Sequence, residues 1–277
     1  MRPQNLLLSA SARSIGSWLH NPSLQRKIFN AVRLNRPEVA DWLQSEDLSF
    51  MAYSIARRRK SKAQILQDLW VCYELGEKSC GFFVEFGATN GLVNSNTWLL
   101  EKELNWRGIL AEPNPIWHAA LARNRMVHIE HLCVSSKSEE VVRFLAMDGV
   151  DPELSAIASF ADGDHFADVR KGGTALDIRT ISLNDLLDKY DAPKEIDYIS
   201  IDTEGSELDI LSAFDFAQRR FNLISVEQNS KTEKGIEELL LRNGYTRVFP
   251  QFSQWDGWYV SSELRLGAPF EIAAPLV

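Results

Sequence analysis

Between residues 82 and 243 the sequence alternates short apolar runs with helix-like segments, and this alternation limits the fold more than any other feature. Strand-like runs fall at Phe82–Phe86, Arg107–Ala111, Val127–Val134, Asp197–Ile201 and Leu223–Glu227. Helix-like stretches lie at Ser95–Leu104, Ile116–Arg123, Leu183–Tyr190, Glu207–Phe214 and Glu233–Asn243. Short continuous apolar runs mark strands buried on both faces. Strands separated by helices imply parallel pairing with right-handed crossovers. The C-terminal part breaks the pattern. Tyr245–Pro250 and Trp255–Ser261 are β-rich, with only Gln251 to Gln254 between them, which predicts a hairpin. The expectation is an α/β fold: a mostly parallel, seven-stranded sheet finished by an antiparallel hairpin.

Residues 62–277 are expected to form this domain, entered by a helix of about four turns from Lys62 to Gly76. Residues 1–61 read as a helical appendage, amphipathic around Trp18, Leu19, Ile28, Phe29 and Trp42 and punctuated by Pro22 and Pro37. Residues 135–181 form a long insertion with an extra strand near Glu140–Leu145, of the kind used as lids or substrate walls.

Composition excludes several function classes. The net charge of −8 gives no global electrostatic case for nucleic acid. The local run Arg57-Arg58-Arg59-Lys60 reads as a solvated helix face. Cys72, Cys80 and Cys133 lack metal-type spacing, and so sparse a count suits a reducing compartment. Leu6-Leu7-Leu8 is too short for a signal peptide core, and no run reaches the ~18 apolar residues of a membrane span. A cytoplasmic protein without stable membrane insertion is expected; oligomeric state is not legible.

The chemistry gathers at strand ends. Glu85 closes the first strand and is followed by Gly87 and Gly91. Gly87 has no Cβ, so the chain can turn tightly there and approach a ligand. The spacing differs from the G-x-G-x-x-G dinucleotide fingerprint. An acid followed by Gly-x-x-x-Gly suits S-adenosylmethionine better than NAD. Glu112 ends the second strand, where Pro113 stops it; a carboxylate there can accept hydrogen bonds from both ribose hydroxyls. The fourth strand ends in Asp202, Glu204 and Glu207, and the fifth in Glu227. Clustered carboxylates repel one another, and such clustering is often kept for a site. Glu207 alone is explained as a first-turn acid that complements a helix dipole.

These residues resemble the FkbM family of S-adenosylmethionine-dependent methyltransferases. The matching pieces are Gln64-Ile-Leu-Gln67-Asp68, Phe83-Val-Glu85-Phe-Gly87 with Gly91, Ser95-Asn96-Thr97-Trp98-Leu99-Leu100-Glu101, Trp106-Arg-Gly-Ile-Leu-Ala-Glu112-Pro-Asn-Pro and Ile201-Asp202-Thr-Glu204-Gly205-Ser-Glu207. They span about residues 62 to 260 and leave out the N-terminal helices. Where the family has aspartate-glycine after the first strand, this chain has Asn90-Gly91. The resemblance implies a Rossmann-like class I fold and O-methylation of a hydroxyl on a sugar, glycan or natural product. It implies a cofactor site of Glu85, Gly87, Ala88, Gly91, Asn96, Glu112, Pro113, Asp202 and Glu204.

An alcohol needs a base to take its proton as the new bond forms. His165, in the insertion, Asp202 and Glu227 are the candidates, and the sequence does not choose among them. Chelation of Mg²⁺ by Asp202, Glu204 and Glu227 is the alternative; no spacing rule secures the third ligand, and a metal-free site is expected. N-methylation is disfavoured because Asp202-Thr-Glu-Gly stands where an Asn-Pro-Pro-Tyr-like loop would be. A silent nucleoside-binding scaffold would predict a damaged cofactor motif, and Glu85, Gly87, Gly91 and Glu112 are all present. His131 reads as a core or adenine-pocket residue, and His118 as a surface residue. Of Trp255 and Trp258, at least one belongs to the core, since their spacing puts them on opposite strand faces.

Overall fold

A computed structural model describes residues 46–147, 152–160, 167–170 and 172–267. The chain divides into two compact units at Ala56/Arg57. The described part of the first is helix α1 (Glu46–Arg57) up to Ala56, with Glu46 and Asp47 in the helix's first turn and Arg57 in its last, as the helix dipole favours. The rest of the expected appendage lies outside the described residues.

The second unit holds the sheet. Its strands are β1 (Phe82–Phe86), β2 (Arg107–Ala111), β3 (His128–Glu130), β8 (Glu195–Ile201), β9 (Arg220–Glu227), β10 (Tyr245–Val248) and β11 (Asp256–Ser261). They lie in the order β10-β11-β9-β8-β1-β2-β3. The five from β9 to β3 run parallel; β11 pairs antiparallel with β9, and β10 pairs antiparallel with β11 at the edge. The expected sheet and hairpin are both present. Strands β8 and β9 are buried along almost their whole length, as continuous apolar runs require when helices cover both faces. Ile109, Ile199, Ile224 and Leu186 belong to that core.

Strand order reverses between β1 and β8. The chain leaves β1 toward β2 and returns to the other side of β1 only at β8. Open α/β sheets bind ligands at such a switch point, outside the carboxyl ends of the strands.

Two regions differ from the sequence reading. The entering helix is α2 (Gln67–Glu74), about half the expected length. Asp68 accepts hydrogen bonds from the Ser61 hydroxyl and the Lys62 backbone, and Leu66 takes a left-handed conformation, so residues 61–66 are held as a loop. The insertion is also more ordered than expected. Strands β4 (Cys133–Ser135), β5 (Val141–Ala146), β6 (Ala156–Ile157) and β7 (Thr174–Ser182) form a second sheet in the order β4-β7-β5-β6. The single run expected at Val127–Val134 is thereby split between β3 of one sheet and β4 of the other.

Candidate active site

The switch point carries an open cleft, whose empty space together with the solvent at its mouth is about 510 Å³. Gly87, Glu112, Pro113, Asp202, Thr203, Glu204 and Ser206 line it, together with Cys133, Val134, Phe144, Glu153, Ser155 and Ile157 from the segment after β3.

Gly87 has a φ of 71° and ends β1 directly against β8. A Cβ there would lie 2.3 Å from the Asp202 carbonyl oxygen, so only glycine lets the two strand ends meet. The Gly87 and Ala88 amides both donate to the Ala111 carbonyl and tie this turn to β2. Glu112 follows. Its side chain is buried at 4% exposure, and it accepts from the Thr89 amide at 2.8 Å and the Asn114 amide at 2.7 Å, one bond to each oxygen. A carboxylate has about four acceptor positions, so each oxygen keeps capacity on the cleft side. Helix α4 (Pro115–Asn124; α3 is Trp98–Leu104) begins just beyond, with Asn114 capping it and Pro115 at its first position. Burial pushes the Glu112 carboxyl up to about 7; the two amide bonds pull down, and Asp202 adds to the rise.

Asp202 directly follows β8 and Glu227 ends β9, with carboxylate oxygens within 4.8 Å of each other. Burial, then the charge of Glu207, raises Asp202 to about 6, and Glu227 opposes the rise. Glu227 stands well above the usual carboxylate range, through burial first and then the charges of Asp202 and Glu204. Both carboxyls are therefore pushed toward their neutral forms. Asp256 faces Glu227 across the β9–β11 ladder. It is raised to about 7 by burial and then by Asp202, and accepts from the Gln67 amide at 3.0 Å. Among the described residues, oxygens of Asp202, Glu204 and Glu227 come within 4.8 Å of one another. A cation is already close: the buried Arg170 guanidinium, from the insertion, pairs with Glu204.

The other expected cofactor residues have different surroundings. Glu85 does not line the cleft. Its carboxylate accepts from the Asn96 amide at 2.8 Å and from the Ser95 and Thr97 hydroxyls, and Arg125 stands 3.6 Å away. Gly91, with φ 71°, is packed against helix α4: a Cβ would lie 2.6 Å from Leu121 and from Arg125. Asn96 donates from its side chain to Ser200, while its Oδ1 finds no donor among the described residues. Glu207 accepts the Thr203 and Gly205 amides and holds the turn after β8. His165 lies outside the described residues.

Sequence reasoning missed Asp256, Gln67 and Arg170 as members of this edge. It also misplaced His131, which is exposed and stacks on His118 with ring centroids 3.7 Å apart; His118 bonds to the Glu112 carbonyl. Trp258 is the core tryptophan, stacked on Trp70 at 5.0 Å, whereas Trp255 is 41% exposed. Among the described residues no helix is long and apolar enough to cross a membrane.

The profile of the methyltransferase FkbM domain matches residues 85–256. No curated protein matches the chain. Solved structures similar to it include precorrin-6y C5,15-methyltransferase from Geobacter metallireducens GS-15, at 12% identity and a TM-score of 0.38, covering 70% of this chain and 86% of that one. Human methyltransferase 10 domain containing protein is another, at 12% identity and a TM-score of 0.34, covering 70% of this chain and 80% of that one.

Proposed function

The chain belongs to the FkbM methyltransferase family, and from that premise we propose that it methylates a hydroxyl of a sugar, glycan or natural product with S-adenosylmethionine as donor. The observation that carries this reading is the placement of Glu112. Its carboxylate lines the cleft at the end of β2, fixed by two backbone amides, with Gly87 and Asp202 beside it. A ribose diol fits its remaining acceptor positions, and the bare Gly87 turn admits the amino-acid half of the donor next to β8.

When bound, S-adenosylmethionine supplies a methyl group activated by a sulfonium. Asp202 receives the acceptor's proton as the oxygen attacks; a base whose pKa stands near the working pH is suited to this. Glu227 stands beside Asp202 at the same edge. The edge's main task is alignment of acceptor oxygen, methyl carbon and sulfur. His165 is the competing base, and a His165→Ala variant with full turnover assigns the role to the edge. The Arg170–Glu204 pair favours a metal-free edge. Turnover that survives a chelator supports that; turnover lost to it and restored by Mg²⁺ would make Asp202, Glu204 and Glu227 ligands.

Calorimetric titration with S-adenosylmethionine and S-adenosylhomocysteine, with NAD as control, tests the cofactor. Micromolar affinity for the first two and none for NAD is expected. Glu112→Ala should weaken both by about 1.5–3 kcal/mol, the range for hydrogen bonds to a charged group. Unchanged affinity would remove Glu112 from the ribose site. Tight binding without methyl transfer to any glycan or natural-product hydroxyl would favour a silent nucleoside-binding module.

A further inference from the structure

Trp255 alone among the described tryptophans is exposed; Trp70, Trp106 and Trp258 are buried, and Trp98 and Trp117 half-buried. An exposed indole offers a wide apolar face at little entropic cost, which is why tryptophan gathers at binding surfaces. We propose that Trp255 is the platform on which an uncharged pyranose ring of the acceptor rests, beside Asp202 and Glu227. This rests on the S-adenosylmethionine reading above and narrows its acceptor to a neutral sugar.

Register fixes where Trp255 stands. Asp256 pairs with Glu227 across the β9–β11 ladder, and the Gln228 amide donates to the Trp255 carbonyl at 2.9 Å. Trp255 is therefore one step beyond the Glu227–Asp256 pair, at the neighbouring-strand distance of about 4.8 Å. Its chain is pinned on both sides. The Phe252 and Ser253 amides donate to the Phe249 carbonyl, and the Asp256 amide to the Ser253 carbonyl. A backbone held in this way presents the indole without a further ordering cost on binding.

The acidic edge is open on a side other than the cleft. Asp202 lines the cleft with Gly87 and Glu112, whereas Glu227 and Trp255 do not belong to that lining. Glu227 is nevertheless only half-buried, so solvent reaches the edge from the β9 side as well. Methyl transfer needs the acceptor oxygen in line, on the far side of the methyl carbon from sulfur. With the donor in the cleft, the oxygen approaches from the β9 side, where Trp255 stands.

Charge selects the kind of ring. Oxygens of Asp202, Glu204 and Glu227 come within 4.8 Å of one another, with Asp256 across the ladder, and Arg170 is already paired with Glu204. A carboxylate or phosphate on the acceptor would meet like charge here. A neutral pyranose lays its C–H face on the indole and donates its hydroxyls to carboxylate oxygens.

The test follows turnover with S-adenosylmethionine and three sets of probes: methyl glycosides of neutral hexoses, the matching methyl uronides, and simple phenols. The full chain should methylate neutral glycosides and not uronides. Trp255→Ala should raise KM for them about tenfold with kcat little changed, and Trp255→Phe should recover most of that loss. Affinity for S-adenosylhomocysteine, read by calorimetry, should stay at the parent value in both. Circular dichroism checks the fold, and Trp255→Phe against Trp255→Leu carries the test if Trp255→Ala does not fold. Parent KM in folded Trp255→Ala would overturn the proposal. So would turnover confined to uronides or to phenols, or no turnover of any pyranoside by a chain that binds S-adenosylhomocysteine. If the parent chain does not bind S-adenosylhomocysteine, the cofactor reading has failed first, and this proposal falls with it.

Discussion

Two buried clusters of charge flank the turn after β1, and they are built on opposite plans. On one side Arg125, fully buried, stands among Glu85, Glu101, Ser95 and Thr97. Burial acts to raise the Glu101 carboxyl, but Lys102 and Arg125 outweigh it and hold it below the usual range. On the other side Asp202, Glu227 and Asp256 face one another, and all three are raised. The first cluster is balanced and leaves the cleft alone. The second is strained by like charges, and its Asp202 opens on the cleft. A buried charge with its counter-charge in place holds structure; buried charges set against each other are poised for a cation or a proton.

Removing the balance of the first cluster is the largest expected effect. Arg125→Ala leaves buried Glu85 without its cation and Glu101 with Lys102 alone, and should cost about 3–5 kcal/mol of folding stability, read from urea denaturation. A loss below about 1 kcal/mol would mean that water reaches Glu85 and Glu101, and the contrast would be lost. In the second cluster the effect should fall on rate. Asp202→Asn should lower turnover at least about 10²-fold, near 2.7 kcal/mol, with folding stability unchanged or higher. Turnover of the parent should rise with pH as Asp202 loses its proton. The midpoint lies at about 6 in the free chain and lower with the sulfonium bound. A flat profile through that range would take the base role from Asp202.

The clusters also differ in how far the sequence shows them. Strands β1 and β2 match their expected limits because a buried parallel strand is one apolar run with glycine or proline at its end. β7 escaped notice: Asp177 and Arg179, exposed on its other face, interrupt the apolar run, and Gly172-Gly173 ahead of it reads as loop. Glu112, Asp202 and Glu227 were legible as acids at the ends of parallel strands. Asp256 was not, because β11 is antiparallel and brings its first residue, not its last, to that edge. The Glu85 carboxylate is decided by a partner far along the chain, Arg125, which no local pattern announces. Arg170 reaches Glu204 only through the folding of the insertion.

Asp256 gives the sharpest test of the comparison. Its folded pKa of about 7 stands above the ordinary value of 3.8, so between those limits the folded chain binds more proton than the unfolded one. Stability then falls as pH rises, which is the reverse of a paired carboxylate. Asn keeps an acceptor for the Gln67 amide and removes the charge. Asp256→Asn should therefore stabilise the ligand-free protein by up to about 4 kcal/mol above pH ~7. The gain should shrink as pH falls through the window and vanish near the ordinary carboxylate pKa. Urea denaturation of parent and variant across that range measures it. A gain independent of pH would show that Asp256 is ionised in the fold, with a counter-charge of its own. The acidic edge would then be balanced like the Arg125 cluster, and its strain could no longer be read as a mark of function.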